Sequence, residues 1–414
     1  MPTMSEPLTP ESTVVVVGAS LAGLRAAEEL RHEGHTGPVV IVGEELHAPY
    51  DRPPLSKQVL SGKWDVERIH HHTPDKLDAL GLEFRLGRRA VSLDTDARHL
   101  VCGDGTELHY DGLIVATGTT ARTLPGTEAM PTVRTLRTLD DCMGIRADLA
   151  AAGPGARMVV IGAGFIGSEV AATCHGLGVA VTVVEALPTP LGRVLGEEMG
   201  AVCGRLHVDH GVTLLTGVGV DHLSSDPDGP DPVVVHLADG TDLAADLVVV
   251  GIGVVPEVGW LEGSGLALDN GVVCDERLFA GDGVVAAGDV ARWSHPSLGE
   301  GLRVEHWTNA AEGGALAARN LMAGTAEAEP YAPVPFFWSD QYETKIQVIG
   351  LPGPDDEVVV VGGSTEESKF LALYRRGDRL RAALAFSQPR QLMAYRPLLA
   401  AGASFDEALA LSRG

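Results

Sequence analysis

Two glycine clusters in this chain each lie between an apolar segment and a helical pattern, an arrangement that can bind phosphate. In the first, the run Val14–Val17 leads into Gly18-Ala19-Ser20-Leu21-Ala22-Gly23, and Glu44 ends the next apolar run. Gly18 allows a tight turn, and the free amides of the new helix would face a pyrophosphate. Glu44 stands where a carboxylate binds a ribose. The order predicts a dinucleotide site, although Ser20 replaces the middle glycine, and the motif alone also fits a strand–helix unit without a ligand.

The second cluster is a cleaner match to the same pattern. Met158–Ile161 leads into Gly162-Ala163-Gly164-Phe165-Ile166-Gly167, and Val181–Val184 ends at Glu185, eighteen residues after the last glycine. Two such patterns in one chain predict two bound dinucleotides. An acid at the end of the second strand favours an unphosphorylated ribose, so NADH is preferred over NADPH.

Three charged side chains lie where they could act near a bound nucleotide. Arg52 and Lys57 flank a stiff double-proline loop after the second strand, at the sheet edge where ligands sit. Glu169 falls in the first turn of the second nucleotide-binding helix. The alternatives are a rigid surface turn with solvated cations for Arg52 and Lys57, and a favourable interaction with the helix dipole alone for Glu169.

Several other elements would position these residues. Buried strands end at Leu113–Gly118 and Asp246–Gly253, and Gly288-Asp289 follows a third. The alternation of short strands and turns from Leu82 to Tyr110 predicts a small antiparallel layer. Beyond Pro330 the chain becomes rich in aromatic residues, with strands predicted near 346–349, 357–361 and 370–375.

Composition limits the function classes. The chain has 414 residues, enough for two or three domains, and a formal net charge of −25, which disfavours nucleic acid as a partner. Its five cysteines are scattered, with no two at dithiol or metal spacing, which fits a reduced, cytoplasmic protein. No apolar run is long enough to cross a membrane. The adjacent histidines 70–72 cannot converge on one ion, so we expect no metal site.

Taken together, these residues resemble the FAD-dependent, NADH-using ferredoxin reductases of the putidaredoxin, rhodocoxin and biphenyl-dioxygenase reductase type. The resemblance extends over about Thr13 to Arg396 and rests on GASLAG, PYDRPPLSK, IVATG, RTL, VIGAGFIGSEVAA, GIGVVPE, AAGDVA, EHWTNA and FFWSDQY. It implies an α/β, glutathione-reductase-like fold with two Rossmann-type dinucleotide-binding domains and a C-terminal α/β domain. The implied division is a flexible N-terminus at 1–12, an FAD-binding domain at 13–120 and 245–330, an NAD-binding domain at 121–244, and a C-terminal domain at 331–414.

The resemblance also implies roles for individual residues. Lys57 and Glu169 would form an ion pair near the reacting atoms of the two cofactors. The FAD site would comprise Gly18, Ser20, Leu21, Ala22, Gly23, Glu44, Arg52, Lys57, Ala90, Thr117, Gly118, Arg137, Gly288, Asp289, Glu305, His306, Trp307 and Trp338. The NAD site would comprise Gly162, Gly164, Phe165, Ile166, Gly167, Glu169, Glu185, Arg193 and Gly253.

The implied activity is transfer of electrons from NADH through FAD to an iron–sulfur ferredoxin, which would feed a haem-thiolate monooxygenase or a ring-hydroxylating dioxygenase. A rubredoxin or monodehydroascorbate reductase shares the same core and stays open as an alternative. A flavin-bound signalling protein of the apoptosis-inducing type is a further alternative, which usually carries targeting and basic features absent here. Disulfide reductases need a cysteine pair beside the flavin, which this chain lacks.

An acidic ferredoxin would need a local positive patch on so acidic a protein. Basic residues in the C-terminal segment either provide that patch or form a solvated face balanced by nearby acids: Lys369, Arg375, Arg376, Arg379, Arg381, Arg390 and Arg396. The sequence does not identify the ferredoxin, the oligomeric state or the strength of the NADH preference.

Overall fold

The computed structural model describes residues 5–225, 232–298 and 301–413. The chain forms two compact units, and each unit is built from separate stretches of sequence. The first unit comprises Met1–Asp51, His70–Thr120 and Val255–Pro335, and the second comprises Arg52–Ile69, Ala121–Val254 and Phe336–Gly414. The second unit thus holds the whole segment expected to bind NAD, residues 121–244, together with the C-terminal segment.

The elements up to residue 161 alternate short strands with a few helices. They are β1 (Val14–Val17), α1 (Leu21–His32), β2 (Val39–Gly43), α2 (Pro74–Ala79), β3 (Glu83–Leu86), β4 (Ala90–Asp94), β5 (His99–Cys102), β6 (Glu107–His109), β7 (Gly112–Val115), β8 (Thr119–Ala121), β9 (Val133–Arg134), α3 (Leu139–Ala152) and β10 (Arg157–Ile161). Short 3₁₀ helices span Pro53–Ser56 and Val66–Ile69.

The middle of the chain also alternates short strands with a few helices. Its elements are α4 (Phe165–Gly176), β11 (Ala180–Glu185), α5 (Gly192–Asp209), β12 (Thr213–Thr216), β13 (Val220–Ser225), β14 (Val233–Leu237), β15 (Asp242–Ala245), β16 (Leu247–Val250), β17 (Val254–Pro256), β18 (Val272–Cys274), β19 (Phe279–Gly281), β20 (Val284–Ala286), β21 (Ala291–Ser294) and β22 (Gly301–Leu302). Further 3₁₀ helices span Gly259–Leu261 and Gly288–Val290.

From Trp307 to the end of the described residues, the chain contains one long helix, five strands and three short helices. They are α6 (Trp307–Glu327), β23 (Phe336–Gln341), β24 (Thr344–Gly350), β25 (Glu357–Ser364), β26 (Lys369–Arg376), β27 (Arg379–Phe386), α7 (Pro389–Met393), α8 (Arg396–Ala400) and α9 (Phe405–Arg413). Among the described residues, no helix is long and apolar enough to span a membrane.

The first unit is organised around a six-stranded sheet in the order β19-β20-β7-β1-β2-β3. All neighbours from β20 to β3 are parallel. The four valines of β1 are at most 3 % exposed, because they share one core with buried residues of α1, of α6 and of the antiparallel strands β4, β5 and β6. An antiparallel layer of β4, β5 and β6 belongs to the same unit.

The strand β3 departs from the sequence prediction, which assigned it to the antiparallel layer. It instead extends the main sheet as a parallel partner of β2, with Phe84 opposite Ile41. The alternation in Glu83–Leu86 fits either orientation, so periodicity could not decide between them. A parallel partner needs a long connection, and the chain between β2 and β3 is long enough to include α2.

The described part of the second unit contains three sheets. The first is five-stranded and parallel, in the order β12-β11-β10-β16-β9, with β13, β14 and β15 forming a separate antiparallel layer. The C-terminal sheet runs β23-β24-β27-β26-β25 and is antiparallel throughout. Buried residues of α5, including Met199 and Leu206, share a core with Phe370, Tyr374 and Phe386 of that sheet. The predicted strands near 346–349, 357–361 and 370–375 are confirmed.

The segment expected to be a flexible N-terminus, residues 1–12, lies partly outside the described residues, which begin at Ser5. From Ser5 onward its backbone is hydrogen-bonded within the first unit. The Leu8 amide donates to the Met322 carbonyl at 3.2 Å, and the Thr36 amide donates to the Pro10 carbonyl at 2.8 Å.

Candidate functional site

The first glycine turn brings three backbone segments into close contact. Gly18 has a φ of 122°, and a Cβ built there would lie 2.1 Å from the carbonyl oxygen of Ala116. A Cβ on Gly23 would lie 1.9 Å from the carbonyl oxygen of Gly18, so α1 can approach β1 only because both residues lack side chains. Ser20 is the N-cap, but its side chain does not cap the helix, and the first turn contains no acid. The amides at the start of α1 therefore fit an anionic ligand.

The second glycine turn repeats this geometry in the second unit. Gly162 has a φ of 98°, and a Cβ there would lie 2.4 Å from the carbonyl oxygen of Gly251. A Cβ on Gly167 would lie 2.0 Å from the carbonyl oxygen of Gly162. At the N-cap Gly164, by contrast, a Cβ would meet nothing closer than 3.9 Å, and α4 starts without a side-chain cap or an acid. The turn thus leaves space in front of donor amides, as a bound pyrophosphate requires.

The glutamates after each second strand have different partners. Glu44 accepts a hydrogen bond from Arg89 at 2.6 Å, and Arg89 also pairs with Glu257 at 2.5 Å. Hydrogen bonding to Glu44, helped by the charge of Glu257, raises the pKa of Arg89. The sequence pattern does not indicate Arg89, because it predicts that β3, the strand before Arg89, belongs to the antiparallel layer. Parallel strands end at the same sheet edge, and this places Arg89 beside Glu44.

Glu185 makes its contacts with the backbone around its own glycine turn. Its carboxylate accepts from the Ala163 amide at 2.7 Å and from the Leu187 amide at 2.9 Å. The acid that was predicted to bind a ribose therefore also holds the turn that was predicted to bind the phosphates. Arg193, expected nearby, is exposed in the first turn of α5.

The ion pair predicted between Lys57 and Glu169 is present in the second unit. Lys57 Nζ lies 2.6 Å from Glu169 Oε2, and Glu169 is only 3 % exposed. The prediction that Glu169 lies in the first turn of the helix is wrong, because α4 begins at Phe165 and its first turn contains no acid. Three further donors to this carboxylate were not found from the sequence. They are the hydroxyl of Ser56 at 2.5 Å, the hydroxyl of Ser339 at 2.8 Å and the amide of Asp340 at 3.3 Å.

Some of the remaining FAD-site candidates of the first unit follow the parallel strands β7 and β20, whereas Ala90 begins β4 and Trp307 begins α6. Ala22 of α1 approaches Gly288, whose Cβ would lie 3.0 Å from the Cβ of Ala22. The side chain of Thr119 donates to Asp289 at 3.4 Å, and the indole of Trp307 donates to Asp51 at 2.7 Å. Burial lowers the pKa of His306 to about 4, so this residue is neutral at pH 7. The predicted residues in this unit are Gly18, Ser20, Leu21, Ala22, Gly23, Glu44, Ala90, Thr117, Gly118, Gly288, Asp289, Glu305, His306 and Trp307.

The other candidates belong to the second unit. Arg52 donates to the carbonyl of Arg137 at 2.7 Å, which links the double-proline loop to the start of α3. The Trp338 ring lies 5.9 Å from the ring of Phe336 on the same face of β23. The predicted residues in this unit are Arg52, Lys57, Arg137, Gly162, Gly164, Phe165, Ile166, Gly167, Glu169, Glu185, Arg193, Gly253 and Trp338.

Comparison with known proteins identifies two family matches and close full-length relatives. Residues 12–314 match the pyridine nucleotide-disulphide oxidoreductase family, and residues 336–412 match the reductase C-terminal family. Rhodocoxin reductase of Rhodococcus erythropolis is 37 % identical over 413 residues, which covers 97 % of this chain and 95 % of the relative. The ferredoxin–NAD(+) reductase component of the anthranilate 1,2-dioxygenase system of Burkholderia cepacia is also 37 % identical, over 95 % of both chains.

A solved structure agrees with these matches. The crystal structure of the covalent putidaredoxin reductase–putidaredoxin complex superposes with a TM-score of 0.88 and 33 % identity, covering 94 % of this chain and 93 % of that one. The matches confirm the glutathione-reductase-like α/β fold predicted from the sequence. The chain therefore belongs to the pyridine nucleotide-disulphide oxidoreductase family and, within it, to the FAD-dependent ferredoxin reductases of the putidaredoxin and rhodocoxin type.

Proposed function

We propose that this protein is an NADH:ferredoxin oxidoreductase that uses FAD. The observation that carries the proposal is the duplicated glycine turn. In each copy a glycine, Gly18 or Gly162, lies against the end of a neighbouring strand. The helix that follows begins without a side-chain cap. Two such turns accommodate two dinucleotides, as the reaction requires. The full-length similarity to ferredoxin reductases supports the same activity.

Each candidate residue has a binding or orienting role in this proposal. When bound, FAD supplies the conversion of a two-electron hydride donor into single electrons for an iron–sulfur acceptor. The glycine turn of the first unit holds its pyrophosphate, with Glu44 on the adenosine ribose. Gly162–Gly167 and Glu185 hold NADH in the same manner. Lys57 and Glu169 would hold a fixed pair of charges near the reacting rings, so orientation rather than covalent catalysis is the contribution of the protein.

The proposed acceptor is an iron–sulfur ferredoxin that feeds an oxygenase, either a haem-thiolate monooxygenase or a ring-hydroxylating dioxygenase. The relatives include reductases named for both a rhodocoxin and a dioxygenase system. The proposed location is the cytoplasm, and the three-domain division with an inserted NAD-binding domain is part of the same proposal.

The cysteines argue against a disulfide-reducing activity. All five are buried free thiols, and burial raises the pKa of Cys142 to about 11 and of Cys203 to about 12. Such thiols are protonated at neutral pH and are poor nucleophiles. A rubredoxin or monodehydroascorbate reductase stays as the alternative function, since it would use the same two nucleotide sites.

The function is tested by purifying the protein with FAD and screening ferredoxins as acceptors. NADH-dependent reduction of cytochrome c should be slow with the reductase alone and should increase strongly when the matching ferredoxin is added. Rubredoxin and monodehydroascorbate serve as competing acceptors in the same assay. A protein that takes up no FAD, or that prefers either competing acceptor to every ferredoxin, would contradict the proposal.

A further inference from the structure

The carboxylate of Glu169 is fully occupied by hydrogen-bond donors from two distant segments of the second unit. Its Oε2 accepts from Lys57 Nζ at 2.6 Å and from the Ser56 hydroxyl at 2.5 Å. Its Oε1 accepts from the Ser339 hydroxyl at 2.8 Å and from the Asp340 amide at 3.3 Å. A carboxylate offers about four acceptor positions, so this one has none left for a new donor.

The ammonium group of Lys57 is fixed in the same way. Its three donors are used by Glu169, by the Pro53 carbonyl at 3.1 Å and by the Ser56 hydroxyl at 3.4 Å. Thr173, one helical turn after Glu169, donates to the carbonyl of Ser56 at 2.7 Å and holds the 3₁₀ segment on α4. The charge of Lys57 therefore has one preferred position, and Glu169 defines it.

Ser339 is a side-chain donor that the C-terminal sheet contributes to the Glu169 carboxylate. Phe337, Ser339 and Gln341 share the buried face of β23, and Ser339 is fully buried. The side-chain amide nitrogen of Gln341 donates to the hydroxyl oxygen of Ser339 at 3.3 Å. Because that oxygen already accepts from Gln341, the single hydroxyl proton of Ser339 is directed to Glu169.

We propose that Ser339, oriented by Gln341, is a positioning residue that sets the geometry of the Glu169–Lys57 pair for hydride transfer. This inference rests on the proposed function, because it assigns Ser339 a role only through that pair. Without the Ser339 hydroxyl, Oε1 keeps a single backbone donor, and the carboxylate can rotate about its terminal bond. Lys57 then keeps its contacts with Pro53 and Ser56, but its charged partner no longer has a fixed orientation.

The first test measures hydride transfer in the FAD-loaded enzyme by stopped-flow spectroscopy. Ser339→Ala should lower the limiting rate of flavin reduction by about tenfold, the effect of losing one hydrogen bond to a charged group, with little change in the apparent NADH dissociation constant. Ser339→Cys, which keeps the volume but donates weakly, should behave similarly. Thr344→Val, a buried substitution in the same hairpin, serves as the matched control and should leave the rate unchanged.

A double-mutant cycle distinguishes positioning from a general structural effect. In a Glu169→Ala background, Ser339→Ala should cause no further loss, because the residue through which it acts has been removed. If Ser339→Ala slows the reaction by the same factor in both backgrounds, or in neither, the positioning role is wrong. If Glu169→Ala itself leaves the limiting rate unchanged, the catalytic role of the pair in the proposed function is what fails.

The second readout does not depend on activity. The chain has five lysines, so limited acetylation followed by peptide mass spectrometry can compare the reactivity of Lys57 with that of Lys63, Lys76, Lys345 and Lys369 in one sample. Lys57 should react slowest in the unmodified protein, and Ser339→Ala should raise its relative rate severalfold while Thr344→Val does not. An unchanged Lys57 rate in Ser339→Ala would overturn the inference.

Discussion

At the scale of single residues, two carboxylates of the second unit illustrate how surroundings decide role. Glu169 is buried, and its partners are side chains and one amide from remote segments. Glu185 is only partly buried, and its partners are the nearby backbone amides of Ala163 and Leu187. Glu169 is therefore suited to hold a fixed charge. Glu185 keeps one side exposed to solvent, where a ribose can bind.

The first prediction concerns the choice between NADH and NADPH. Glu185→Gln removes the negative charge but keeps an oxygen that can accept from the Ala163 amide, so the glycine turn should survive. The ratio of kcat/KM for NADH to that for NADPH should fall by about tenfold, equivalent to roughly 1.4 kcal/mol in relative transition-state binding. Steady-state kinetics with both donors provide the measurement.

Glu198→Gln is the matched control, since Glu198 is exposed on α5 and its loss changes the net charge equally. It should leave the ratio unaltered. An unmodified enzyme with equal kcat/KM for the two donors would show that Glu185 does not select the cofactor.

At the scale of elements, each nucleotide turn depends on a helix lying unusually close to a strand. The contact is made by backbone, so a single methyl group is enough to disturb it. In α4 the critical position is Gly167, whereas Gly176 at the other end of the helix has open space around it. One helix therefore supplies both a test and its control.

The second prediction is that Gly167→Ala destabilises the protein and weakens NADH binding. Its Cβ would lie 2.0 Å from the Gly162 carbonyl oxygen, so α4 must shift, at a cost of about 1–3 kcal/mol. Gly176→Ala should instead be neutral or stabilise by about 0.5–1 kcal/mol, because alanine favours the helix. Thermal unfolding and the KM for NADH test both variants, and equal behaviour of the two would contradict this account.

A second element-scale contact joins the end of α5 to the β23–β24 hairpin. His207 Nδ1 lies 2.8 Å from the hydroxyl of Tyr342, and within the described residues its Nε2 has no hydrogen-bond partner. Burial lowers the pKa of His207 to about 4 from 6.5. Between about pH 6.5 and about pH 4, His207 binds a proton in the unfolded chain but stays neutral in the folded chain. Stability is therefore lost as the pH falls from 6.5 toward about 4.

The third prediction follows from this loss of folding stability at low pH. The full loss attributable to His207 is on the order of 3 kcal/mol. His207→Asn, which keeps an acceptor for Tyr342, should reduce the difference in melting temperature between about pH 7.5 and about pH 5. His222→Asn, at an exposed histidine on β13, should leave that difference unchanged. A His207→Asn variant as sensitive to acid as the unmodified protein would assign the loss to other groups.

At the scale of the whole molecule, the net charge of −25 opposes the approach of an acidic ferredoxin. Two arginines of the basic patch suggested by the sequence are paired with acids on neighbouring strands and loops. Arg375 pairs with Glu357 at 2.7 Å, and Arg376 pairs with Asp356 at 2.7 Å. Lys369 and Arg390 are exposed and stay the better candidates for a docking contact.

The fourth prediction tests that contact. Lys369→Glu should raise the KM for ferredoxin severalfold at low ionic strength and weaken its salt dependence, because an attraction across the interface is lost. Lys76→Glu makes the same charge change on an exposed lysine of the first unit and serves as control. Reduction of ferricyanide by NADH should be unaffected in both. If the two variants shift the ferredoxin KM equally, only the net charge matters and docking lies elsewhere.

The sequence by itself determined the two nucleotide turns and most of the strands. These features are local, because a positive φ at Gly18 or Gly162 and a helix starting a few residues later depend on adjacent residue types. The family pattern also indicated Lys57 and Glu169. Their functional roles, like those of the other site candidates, stay predictions.

Only the tertiary structure decided which strands pair and which side chains surround Glu169. The strand β3 could be placed only once its partner was known, and with it Arg89. Ser339 lies 170 residues from Glu169 in sequence and has no local signature that distinguishes it from any other serine on a strand. Contacts over such separations depend on how sheets and helices pack, and residue spacing along the chain carries no information about that packing.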